Sequence, residues 1–145
     1  MKQVEQEIAE LFCKLPLFLT SFVKEFEPFA PVKLNATEER TLINVYLKPD
    51  EPMVVYSKHA GLSQGAFTSV ADSLERKGLV QRIPMKRDRR VYSLKLTESG
   101  YAVADALDTQ FKDFIAEKVS NMNPDSIYTL RDAMRVLVDS VKMLG

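Results

Sequence analysis

The sequence predicts a mainly α fold with one small β-hairpin, and three observations carry that reading. Apolar residues recur at helical spacing in several separate segments. Two short alternating segments follow one another after Gly78, with a charged tip between them. Capping residues, glycines and prolines fall at the segment boundaries. A chain of 145 residues with 46% hydrophobic content fits one ordinary folded unit and argues against disorder.

Residues 3–26 place Val4, Ile8, Leu11, Phe12, Leu15, Leu19, Phe22, Val23 and Phe26 on one helical face, with Glu5, Glu7, Glu10 and Lys14 largely off it. Pro16 removes a backbone donor and crowds the preceding turn, so a kink or brief break is expected at 12–15. Pro28 and Pro31 end this segment. Asn35-Ala-Thr-Glu38 has the form of a capping box and starts a helix running to about Leu47. Lys48-Pro-Asp-Glu-Pro52 forces a turn, and a short helix over 53–60 leads to Gly61, which suits the left-handed conformation that closes a helix. Ser63 caps the next helix, whose Phe67, Val70, Ala71 and Leu74 follow the i, i+3, i+4, i+7 rule, and Gly78 terminates it.

Leu79 to Pro84 and Val91 to Leu96 read as strands, joined by the tip Met85-Lys-Arg-Asp-Arg-Arg90. Thr97 can cap a long helix to about Ser120. Asn123-Pro124-Asp125 starts a last one, lined by Ile127, Leu130, Met134, Leu137, Val138, Val141 and Leu144. The order is that of a helix-turn-helix with a hairpin wing (35–98), flanked by an N-terminal helix and linker (1–34) and by C-terminal helices (99–145). Both flanks carry apolar stripes that one small winged helix cannot cover, so a two-chain interface is inferred, the flanks serving as dimerisation helices.

Other classes find little support. Cys13 alone makes no intrachain disulfide, and Cys13 with the single His59 cannot complete a metal site; no cofactor is expected. His59 is expected only to cap or pack. The run from Leu15 to Val23 is far short of a membrane span, and acidic residues precede it, so a cytoplasmic protein with no membrane partner is expected. No nucleophile–base–acid set, nucleotide loop or paired-carboxylate motif suggests an enzyme.

Net charge is zero, with 20 basic and 20 acidic residues. Residues 76–95 nevertheless hold Arg76, Lys77, Arg82, Lys86, Arg87, Arg89, Arg90 and Lys95 against Asp88 alone, a net of +7 that the rest of the chain balances with −7. A solvated turn is the bland account of such a tip. Near-single-sign charge placed directly after a helix-turn-helix pattern instead fits a wing on a phosphate backbone, with double-stranded DNA as partner.

Gly61-Leu-Ser63, Leu74-Glu-Arg-Lys-Gly-Leu-Val80, Arg87-Asp-Arg-Arg90 and Leu96-Thr-Glu-Ser-Gly100 together resemble the multiple antibiotic resistance regulator (MarR) family of winged-helix transcription factors. The flanking helices match by pattern only. The resemblance implies a homodimeric, often ligand-responsive repressor on a pseudopalindromic site. It gives helix 63–77 the role of recognition helix and 85–90 that of wing.

With the apolar face inward, Gly65, Ser69, Asp72 and Arg76 turn outward, with Thr68 and Ser73 beside them. Ser63, Gln64, Gly65, Thr68 and Ser69 lie nearest the helix N-terminus, where donors and the dipole suit phosphate; Gln64 could pair with adenine. Similar family members often carry arginine where this chain has Ser69, which shifts the burden toward the wing and DNA shape. Asp72 either accepts from a cytosine amino group or stays clear of DNA. Arg89 or Arg90 is assigned to the minor groove, with Asp88 orienting Arg90, while Lys86 and Arg87 touch phosphate; the outward Arg76, and Lys77 in the basic stripe that fits a phosphate backbone, complete the DNA-binding set. The family's effectors, small molecules of unspecified identity here, bind between the dimer helices and the winged helix, which makes Phe18, Phe22, Tyr46 and Phe111 candidate lining residues. A peroxide-sensing branch carries an N-terminal cysteine, but 34–42 lacks the tyrosines that would hold its thiolate, so Cys13 is expected to be a half-buried structural thiol. The competing class is a winged-helix interaction module without DNA binding, which an acidic or neutral wing would have favoured.

Overall fold

A computed structural model describes residues 2–144. The elements are α1 (Lys2–Val23), α2 (Ala36–Leu47), α3 (Met53–His59), α4 (Gln64–Arg76), β1 (Val80–Pro84), β2 (Tyr92–Leu96), α5 (Glu98–Ser120) and α6 (Pro124–Ser140), followed by a 3-10 turn at Val141–Met143. Two compact units form, Pro28–Gln110 and a second one made of the chain up to Glu27 together with the chain from Phe111 onward.

The Pro28–Gln110 unit contains the buried core: Leu42 and Val45 of α2, Tyr56 of α3, Phe67, Ala71 and Leu74 of α4, Leu79, Val80 and Leu94 of the hairpin, and Val103, Ala104 and Leu107 of α5. The expected capping box is present, with Asn35 Oδ1 accepting from Glu38 N at 2.8 Å and Glu38 Oε1 accepting from Asn35 N at 3.4 Å. Helices α3 and α4 end alike. Gly61 (φ +68°) and Gly78 (φ +73°) take the left-handed conformation. The next residue then bonds back: Leu62 N to Ser57 O and Leu79 N to Leu74 O, both at 3.0 Å, the Schellman pattern. Because the Leu79 N–H is spent on α4, β1 begins at Val80, one residue later than the alternation suggested.

β1 and β2 pair antiparallel from Val80–Leu96 to Pro84–Tyr92, and Ser93 also bridges to Pro52. Thr97 joins the hairpin to α5, its Oγ1 donating to Gly78 O (2.6 Å) and accepting from Gly100 N (3.0 Å). The backbone of α5 passes so near Leu79, the residue before β1, that a Cβ on Gly100 would lie 1.8 Å from Leu79 O.

In the second unit, α1 runs through Pro16 without a break in the helix, and it ends at Val23 and leaves Phe26 outside. One lost ladder bond does not stop a helix whose neighbouring turns are intact. Thr20 Oγ1 and Ser21 Oγ bond back to Pro16 O and Leu17 O, each at 2.8 Å. Phe26 instead packs its ring on Phe111 and Phe114, with centroids at 5.3 and 5.2 Å. Asn123 caps α6 as expected, accepting from Asp125 N at 2.9 Å, but the helix gives way to the 3-10 turn before Leu144. None of the described residues of α1 or α6 is buried. Cys13, expected half-buried, is therefore exposed. An open apolar groove of about 450 Å³ runs along α6, lined by Ile127, Leu130, Met134 and Val138 with Val119 of α5. No helix among the described residues is long and apolar enough to cross a membrane.

Candidate nucleic-acid interface

The interface is built on α4 because its apolar face is fully committed. Phe67, Ala71 and Leu74 are buried and Val70 half-buried, which leaves Gln64, Gly65, Thr68, Ser69 and Arg76 exposed. Ser63 Oγ caps the helix by accepting from Ala66 N at 3.2 Å. The remaining free N–H groups and positive dipole end of the first turn thus lie among short side chains, an arrangement suited to close approach of phosphate. Thr68 Oγ1 donates to Gln64 O at 2.8 Å and keeps its lone pairs as acceptors.

Two groups on α4 have other commitments. Asp72 pairs with Arg82 of β1, whose guanidinium also donates to Thr68 O (3.3 Å) and lies 4.0 Å from Glu75 Oε1. The backbone N–H of Arg82 donates to Glu75 Oε2 at 3.3 Å. Arg82 is thus neutralised internally and does not add to the outward positive field. Lys77, expected to face phosphate, turns toward α2: its Nζ donates to Glu38 Oε2 at 2.6 Å and to Lys33 O at 2.7 Å. The reason is the depth of the carboxylate. Glu38 is 4% exposed, and a buried charge needs a partner. Sequence reasoning missed both pairs, since the N3 position of the capping box already accounted for Glu38.

At the wing, Met85 N donates to Val91 O (2.8 Å) and Val91 N to Asp88 O (3.0 Å), closing the tip. Lys86, Arg87, Arg89 and Arg90 are exposed. Asp88 grips Arg90 as expected, with Nε to Oδ1 and Nη2 to Oδ2 both at 3.0 Å and the Arg90 backbone N to Oδ1 at 3.1 Å. The guanidinium and this backbone bond hold the Asp88 carboxyl below its ordinary range. The Arg90 side chain is nonetheless 90% exposed, so it is oriented without being withdrawn. Gln64 and Thr68 of α4 and Arg90 of the wing line one open cavity of about 360 Å³, which brings helix and wing residues to a common surface.

The aromatic candidates divide between the units. Phe18 and Phe22 pack with centroids at 4.7 Å and ring planes tilted by 50°, and Phe111 packs on Phe26. In the other unit, Tyr46 Oη donates to Asp105 Oδ1 at 2.7 Å beside the Tyr101 ring, and this bond pushes the phenol well above its ordinary range. His59, the last residue of α3, is exposed.

Residues 34–92 match the MarR family. The multiple antibiotic resistance protein MarR of Escherichia coli K12 is 28% identical over 72% of this chain and 73% of its own. Among solved structures, Streptococcus pneumoniae FabT in complex with DNA covers 99% of both chains at 19% identity and a TM-score of 0.64. Staphylococcus aureus MepR bound to ethidium bromide covers 92% of this chain and 95% of its own at 18% identity and a TM-score of 0.60. These two share the fold. The chain thus matches the MarR family over residues 34–92, is similar in sequence to the E. coli protein, and shares the fold of these two solved structures.

Proposed function

We propose that the protein is a ligand-responsive, homodimeric repressor that binds a pseudopalindromic operator through α4 and the wing. The observation that carries the reading is Arg90, held by Asp88 at full exposure beside the capped, small-residue N-terminus of α4. Ser63, Gln64, Gly65, Thr68 and Ser69 approach the major groove, Arg90 with Arg89 enters the minor groove, and Arg76, Lys86 and Arg87 meet phosphate. Lys77 is left out of this set because its ammonium is engaged by Glu38. The FabT complex supports DNA as the partner of this fold, and the MepR complex supports a small-molecule effector. Phe18, Phe22 and Phe111 are the aromatic residues proposed for effector contact. The exposed apolar faces of α1 and α6 support pairing of two chains.

A mobility shift with duplex fragments from upstream of the gene, run at two salt concentrations, tests the reading. The expected result is a discrete shift that survives competitor DNA and weakens steeply with salt. Absence of any shift at low salt would overturn it.

A further inference from the structure

The Glu38 carboxylate does two things at once. Its Oε1 accepts from Asn35 N and closes the cap of α2. Its Oε2 accepts from Ser73 Oγ at 3.1 Å and from Lys77 Nζ at 2.6 Å. Ser73 and Lys77 are one helical turn apart on the same side of α4. Lys77 also holds Lys33 O, in the segment that leads into α2. The start of α2, the preceding segment and the C-terminal end of α4 therefore meet at one buried carboxylate. The Glu38 side chain is 5% exposed and that of Lys77 30%, so the ion pair is seated against the protein interior.

We propose that Glu38 is a positioning residue for DNA reading: with Ser73 and Lys77 it clamps the C-terminal end of α4 to α2 and so sets the angle at which the α4 N-terminus is presented. Lys77 is part of this clamp and not a phosphate contact. The inference rests on the DNA-binding reading given above, and leverage is the physical argument for it. A 13-residue helix is about 20 Å long, so a tilt of about 10° at the clamped end displaces the other by roughly 3 Å. Hydrogen bonds to base edges do not survive such a shift, whereas non-specific attraction to phosphate does. Loss of the clamp should therefore cost specificity before it costs overall DNA affinity.

The test titrates full-length protein with operator duplex and with a random duplex of equal length across a salt series. Lys77→Gln is expected to keep the wild-type salt slope while its operator-to-random affinity ratio falls about tenfold. Glu38→Gln retains the cap but loses the ion pair, and should lower the ratio similarly; Lys77→Arg should restore it. A slope flattened by about one unit per protomer in Lys77→Gln would make Lys77 a phosphate contact and overturn the clamp, as would an unchanged ratio. Hydrogen exchange without DNA gives an independent readout. In Glu38→Gln the last-turn amides of α4 should exchange at least about tenfold faster while those of β1 and β2 are unchanged. Equal exchange in α4 would overturn the clamp. If wild-type protein binds no DNA, the functional reading fails, and the exchange result still decides the clamp.

Discussion

Gly100 stands where a methyl group does not fit. A Cβ there would lie 1.8 Å from Leu79 O and 2.8 Å from Leu79 C, and both are backbone atoms of a buried residue that cannot swing aside. Gly100→Ala must push α5 from the Leu79 backbone and is expected to destabilise the protein by about 3 kcal/mol, read as a lower urea midpoint at unchanged slope. Thr41 presents the opposite case, with a buried Oγ1 that has no hydrogen-bond partner in the structure. Thr41→Val keeps the shape and removes the unpaired hydroxyl, so a gain of about 1 kcal/mol is expected in the same measurement. Gly100 was legible in the sequence as part of Leu96-Thr-Glu-Ser-Gly100. Its reason was not, because the atom that excludes a side chain belongs to a distant residue. Thr41 gave no signal at all, since nothing local marks a hydroxyl as unpartnered.

Among the elements, the joints decide what the wing and α4 can do. The strands were readable from alternation, and the Asp88–Arg90 contact from the closeness of two opposite charges in a tight tip. Long-range pairs such as Arg82 with Asp72 and Lys77 with Glu38 were not readable, because residue spacing says nothing of which basic side chain folds back. If the Asp88 bonds orient Arg90 for the minor groove, Asp88→Ala should lower operator affinity by about threefold to tenfold in a binding titration, while leaving the salt slope in place. The α2–α4 joint carries a pH signature. Burial alone pushes the Glu38 carboxyl up, but bonds from Lys77, Asn35 and Ser73 outweigh it and hold the group below its ordinary range. The folded protein thus prefers the charged form. The associated stability is present above the ordinary carboxylate range and is lost as pH falls through the lowered value. Denaturant midpoints measured from pH 6 down to about 3 should fall more steeply for wild type than for Glu38→Gln.

At the level of the whole molecule, zero net charge concealed a basic reading surface, and the apolar stripes of the first and last helices concealed how little each buries alone. No described residue of α1 or α6 is buried; Phe12 and Leu17 remain 69% and 73% exposed and Val138 66%. The sequence revealed the stripes, but a single chain's pattern does not identify what covers them. If a second copy does, as proposed, folding is coupled to association, and Tm should rise as protomer concentration is raised. Val138 lines the apolar groove of α6. A carboxylate there would carry a charge and its hydration into the apolar face proposed for the two-chain interface, so Val138→Asp should shift the sedimenting species from dimer toward monomer. The winged-helix core lies in the other unit, so the far-ultraviolet spectrum should remain largely helical. Operator affinity should fall at least about 100-fold, because two half-sites no longer act through one linked pair of reading heads. A wild-type protein that sediments as a monomer at micromolar concentration, with full operator affinity, would overturn the pairing of chains and leave the DNA-reading surface to act alone.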